Sequence, residues 1–178
     1  VSVDMRRGFR EVVEEVYEWK LGDLHTAYRK KAEEGWEADI FTEPWKIADP
    51  CWGPFFDGIR ASLLFLSAVA EFGGLENLLD SIPTYFQRRI SALCDGVDKH
   101  EVYLKLSEEL RKELSGRVIE ERRIDGVKLI MEEGWILVRP SGTEPKIRIY
   151  IEMESEEEAR ELEKFCLGFL RGMKGVKI

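Results

Sequence analysis

The sequence predicts an α+β protein whose second half, residues 84–178, is a two-layer sandwich of a four-stranded antiparallel sheet and two helices. Three observations carry that reading. Ile147, Ile149 and Ile151 alternate with Arg148, Tyr150 and Glu152, the period-two pattern of a half-buried strand. Asp125-Gly126 separates two apolar-rich runs, 118–124 and 127–132, as the turn residues of a hairpin do. Two helical runs with single apolar lines flank these strands, and such faces are buried by packing on a sheet.

Taken in order, residues 1–4 read as a short strand and 9–19 as an amphipathic helix through Val12, Val13, Val16 and Trp19. Leu21-Gly22-Asp23 breaks it. A second helix over 24–34 carries Ala27, Tyr28 and Ala32 and ends at Gly35 as a C-cap glycine would. Residues 36–56 read as irregular, with Pro44, Pro50, Gly53 and Pro54 among Trp36, Trp45, Trp52, Phe55 and Phe56. So aromatic a loop either packs under another element or forms a ligand or domain surface.

Asp57 is placed to N-cap a helix with Ile59, Leu63, Leu66 and Ala70 on one face, ending at Gly73-Gly74. A short helix over 75–82 stops at Pro83, where the domain boundary is expected. Residues 85–93 read as a strand. A helix over 98–114 presents Tyr103, Leu106, Leu110 and Leu114 and closes at Gly116. After the 118–132 hairpin come Trp135–Val138, a short loop and the strand to Glu152. Ser155 with Glu158 forms a capping box for a last helix whose inner face is Ala159, Leu162, Cys166, Phe169 and Met173.

The bulk composition excludes several classes. With 44% hydrophobic residues the chain folds, and a net charge of −8 disfavours general nucleic-acid or membrane-surface binding. No apolar run approaches the roughly 20 residues of a membrane span. Cys51, Cys94 and Cys166 are scattered, which suits small core residues in a reducing cytoplasm. His25 and His100 form no cluster with them, so no zinc site is expected. Charged residues reach 35% while Asn77 and Gln87 are the only amides, a thermophile-like bias.

The loop after Val138 holds the densest chemistry: Arg139, Ser141, Gly142 and Thr143, bracketed by Pro140 and Pro145. A guanidinium can grip phosphate oxygens bidentately. Two hydroxyls can donate to the same group, and a glycine lets an anion approach the backbone N–H groups. The same residues also make an ordinary polar hairpin turn. Both readings stand on the residues alone.

The string Asp125-Gly-Val-Lys, the hairpin, Gly134-Trp-Ile-Leu-Val-Arg-Pro-Ser-Gly-Thr-Glu-Pro-Lys-Ile-Arg-Ile-Tyr-Ile-Glu152 and the Glu-rich helix together resemble the C-terminal domain of the α-D-phosphohexomutases. The resemblance implies that Arg139, Ser141, Gly142 and Thr143 grip the phosphate of a phosphosugar. Arg148 and Glu152 also match, and are read as outward-facing strand residues suited to a same-face ion pair. More faintly, Gly22-Asp23 and Asp57-Gly58 resemble the preceding, sugar-recognising domain, which implies that residues 1–83 are a truncated α/β domain. There Glu43 matches a Glu that holds sugar hydroxyls; the alternative for Glu43 is an exposed acidic loop residue. Thr42, Trp45 and Lys46 depart from the family's pattern.

The family's phosphorylated serine loop (Ser-His-Asn-Pro-like) and its Asp-x-Asp-x-Asp-Arg loop for Mg²⁺ occur nowhere in the chain. The resemblance therefore implies substrate anchoring without phosphoryl transfer by this chain alone. Beginning at Val1, the chain reads as a piece of something longer. A second reading makes it a non-catalytic phospholigand-binding or regulatory module completed by another polypeptide. A third makes it a structural domain that has lost function.

Overall fold

The computed structural model describes residues 24–35, 41–43, 46–48 and 57–178. The chain divides into two compact units, Val1–Pro83 and Thr84–Ile178. The strand expected over 1–4, the helix over 9–19 and the aromatics Trp36, Trp45, Trp52, Phe55 and Phe56 lie outside the described residues.

In the first unit, helix α1 (Leu24–Glu33) is followed by Gly35 at a φ of 86°, the left-handed C-cap its sequence predicts. Residues 41–43 and 46–48 correct the expectation of an irregular stretch. Strand β1 (Phe41–Glu43) pairs antiparallel with β2 (Lys46–Ala48), setting Glu43 opposite Lys46. Helix α2 (Gly58–Glu71) is N-capped by Asp57, whose Oδ1 accepts from the Arg60 N–H at 2.9 Å. Its apolar line is not buried: Ile59, Leu63 and Leu66 are 78%, 57% and 59% exposed. Helix α3 (Leu75–Asp80) follows.

The second unit is the two-layer sandwich. Its sheet has six strands, not four, in the order β4-β5-β6-β7-β3-β8, all neighbours antiparallel. These are β3 (Phe86–Cys94), β4 (Glu120–Arg122), β5 (Val127–Met131), β6 (Gly134–Pro140), β7 (Lys146–Met153) and β8 (Val176–Lys177). The two additional strands come from the unit's ends: β3 pairs along the whole of β7, and the two-residue β8 closes that edge. Helices α4 (Lys99–Glu113) and α5 (Glu156–Gly172) cover one face.

Between helices and sheet lies one apolar core. Val102, Leu106, Leu110 and Leu114 from the first helix and Ala159, Leu162, Cys166 and Leu170 from the second meet Ile136, Val138, Ile147, Ile149 and Ile151. Each such side chain contributes about 1.5–3 kcal/mol by leaving water. Leu170 takes the fully buried place expected for Phe169, which with Met173 is only partly buried against the core. Cys94 and Cys166 are free and buried, and burial pushes the Cys166 thiol up to about 12.

The opposite sheet face is buried along β6, while Gln87, Arg89 and Ser91 of β3 stay exposed. Trp135 and Leu137 are 6% and 1% exposed, so β6 is buried on both sides. Glu152, expected to face outward, is fully buried: its Oε1 accepts from Trp135 Nε1 at 2.9 Å and its Oε2 from Gln87 Nε2 at 2.6 Å. Lys128, also buried, sets its ammonium 4.1 Å from the centre of the Trp135 ring. No helix among the described residues is long and apolar enough to cross a membrane.

Candidate functional site

The hairpin between β6 and β7 carries the predicted phosphate residues. Arg139 and Arg148 stand opposite each other across the ladder, and the Ser141 N–H donates to the Lys146 carbonyl at 2.8 Å, closing the loop at its base. Ser141 is 2% exposed, while Gly142 and Thr143 stand open to solvent at the tip.

Arg139 is the unusual member. Its side chain is 7% exposed, and its Nη2 lies 2.9 Å from Asp125 Oδ2. That contact is an ion pair by distance, without the alignment of a hydrogen bond. Arg139 Nε and Nη1 are both buried, with no hydrogen-bond partner among the described residues. A buried guanidinium with two idle donors costs stability unless an acceptor arrives. Nε shares one edge of the guanidinium with Nη2 and Nη1 shares another with it, and either edge is a fork that a phosphate or carboxylate fills.

Three neighbours shape this corner, none of them legible as such in the sequence. Asp125 reaches Arg139 from the turn of the β4–β5 hairpin. Gly126 beside it has a φ of 122° and lies against the backbone of Val138 and Arg139. Lys99, the first residue of α4, donates from Nζ to the carbonyls of Ser141 at 2.6 Å and Glu144 at 3.2 Å. Glu144 gathers the remaining cations: its Oε1 accepts from Lys146 at 2.7 Å and its Oε2 from Arg148. Those contacts, chiefly the Lys146 hydrogen bond, hold the Glu144 carboxyl below its ordinary range. Arg148 therefore pairs within the loop, not with Glu152 as the same-face reading anticipated.

Residues 95–167 match the family model for the phosphoglucomutase/phosphomannomutase C-terminal domain. Over those residues the chain carries the C-terminal domain of that family. It is 35% identical over 167 residues to a phosphopentomutase of Thermococcus kodakarensis, covering 91% of this chain and 36% of that protein. It is 36% identical over 165 residues to a probable phosphoglucosamine mutase of Methanothermobacter thermautotrophicus, covering 90% and 35%. The chain thus spans about a third of the length of these relatives. Its fold is that of a phosphoglucomutase/phosphomannomutase family protein from Burkholderia thailandensis, with a TM-score of 0.70 at 22% identity, over 96% of this chain and 36% of that one.

Among the described residues no group of three or more His, Cys, Asp or Glu side chains is arranged to hold a metal ion. The donor set for the Mg²⁺ that the family implies is not found among them. Glu43 ends β1 opposite Lys46, in the first unit.

Proposed function

We propose that the β6–β7 loop binds the phosphate of a phosphosugar, with Arg139 as its principal donor and Ser141, Gly142 and Thr143 completing the grip. The observation that carries this reading is the pair of buried, unpartnered nitrogens on Arg139. A phosphate brought to one edge of the guanidinium satisfies one of these donors with a charge-assisted hydrogen bond, Nη2 completing the fork, in a partly desolvated corner. The mutase relatives make a sugar phosphate the favoured ligand.

On this reading the phosphate held here is not the one that reacts. The loop fixes one end of the substrate, converting binding energy into orientation of the other. Phosphoryl transfer itself belongs to phosphoserine and Mg²⁺ loops absent from this sequence, which a further segment or chain would supply. Glu43 is the proposed contact for the sugar hydroxyls, on the resemblance alone. The cytoplasm is the proposed location, in keeping with the free Cys94 and Cys166.

Isothermal titration with a hexose phosphate, against the same hexose without phosphate, tests the reading. Only the phosphorylated sugar is expected to bind. Arg139→Ala is expected to cost about 1.5–3 kcal/mol, roughly ten- to a hundredfold in Kd. Equal affinity of wild type and variant overturns it.

A further inference from the structure

We infer that Lys99 is a positioning residue for this loop: it turns the peptide between Ser141 and Gly142 so that the Gly142 N–H becomes a donor to the bound phosphate. The inference rests on the phosphate reading above and extends it to a residue outside the hairpin.

Lys99 opens α4 beside the capping residue Asp98, whose Oδ1 accepts from the His100 N–H at 3.0 Å. The helix therefore presents the Lys99 ammonium from a fixed end. Its two acceptors are main-chain carbonyls of the loop, those of Ser141 and Glu144. A trans peptide holds its C=O and N–H on opposite sides. Drawing the Ser141 carbonyl onto Lys99 therefore points the Gly142 N–H the other way. That N–H has no backbone hydrogen-bond partner among the described residues. Nothing stands within 4 Å of where a Gly142 Cβ would lie, so an anion can come close.

The second carbonyl belongs to the peptide joining Glu144 to Pro145, which has no N–H to offer. That oxygen also accepts the Lys146 N–H at 2.8 Å. Lys99 is its second donor, and the ammonium adds positive charge beneath the loop. The base of the loop is pinned independently, through Ser141 N–H to Lys146 and Cys94 N–H to the Pro145 carbonyl at 2.8 Å. Lys99 thus acts on orientation rather than on whether the hairpin forms.

The test titrates inorganic phosphate into wild type, Lys99→Met and Lys99→Arg by calorimetry, and follows the assigned Gly142 and Arg139 Nε–H signals by ¹H–¹⁵N NMR. In the wild type both signals move. In Lys99→Met, affinity falls roughly tenfold, the Gly142 signal stays still and the Arg139 signal still moves. Lys99→Arg restores the Gly142 response. Should Lys99→Met fail to fold, Lys99→Gln, which keeps a donor without the charge, replaces it. Wild-type affinity and an unchanged Gly142 response in the variant overturn the role of Lys99 alone. A wild type that does not bind phosphate overturns the underlying reading and this inference with it.

Discussion

Gly126 and Arg139 are in contact so close that no other residue fits at 126. A Cβ there would stand 2.3 Å from the Val138 carbonyl oxygen and 2.7 Å from Arg139 Cβ. Asp125, which meets the Arg139 guanidinium, immediately precedes this glycine. One tight turn thus fixes both the backbone of the binding arginine and its counter-charge.

Gly126→Ala is therefore expected to destabilise the protein by about 2–4 kcal/mol, combining left-handed backbone strain with a backbone clash. Denaturant unfolding measures the loss. Phosphate affinity should fall as well, since Arg139 must shift to make room.

Asp125→Asn separates stability from binding. Removing the carboxylate leaves the buried Arg139 without its counter-charge, at a cost of about 1–3 kcal/mol in the free protein. It also removes a negative charge beside the incoming phosphate. Phosphate should then bind several-fold more tightly to a less stable protein, measured by calorimetry and thermal melting on the same sample.

Glu152 accepts from the buried Trp135 indole and from the exposed Gln87. Glu152→Ala strands the Trp135 N–H, and should cost about 1–3 kcal/mol in urea unfolding. Glu152→Gln keeps one carbonyl oxygen for two donors and should fall between wild type and alanine. Equal stabilities would contradict the assignment.

Glu121 supplies the pH dependence. Hydrogen bonds chiefly from Arg111, with Arg123 adding, lower its carboxyl from 4.5 to about 2. A depressed carboxylate stabilises the folded state fully above the unfolded value and loses that contribution as pH falls through the folded one. Screened by solvent, the contribution is about 1 kcal/mol. Glu121→Gln should therefore be less stable than wild type at pH 7, with the gap closing between pH 4.5 and about 2.

What the sequence made legible follows from locality. The loop chemistry at 139–143 lies in consecutive residues, and each cap (Asp57, Asp98, Ser155) sits within three residues of the N–H it accepts from. Lys99 and Asp125 reach the same loop from other elements, and no periodicity encodes that meeting. The β3 strand was readable as a strand, but its pairing with β7 joins distant segments. At two residues, β8 leaves no pattern at all. Alternation in β7 suggested a wet face at Glu152, because polarity in sequence does not distinguish solvation from a buried hydrogen-bonded acid.

The central claim is that the buried nitrogens of Arg139 await a phosphate. The most direct measurement is the ¹H–¹⁵N signal of Arg139 Nε, assigned by its disappearance in Arg139→Lys and followed while inorganic phosphate is added. The account predicts a downfield, saturable shift whose midpoint matches the calorimetric Kd. A signal that does not move while phosphate binds would place the anion elsewhere and contradict it.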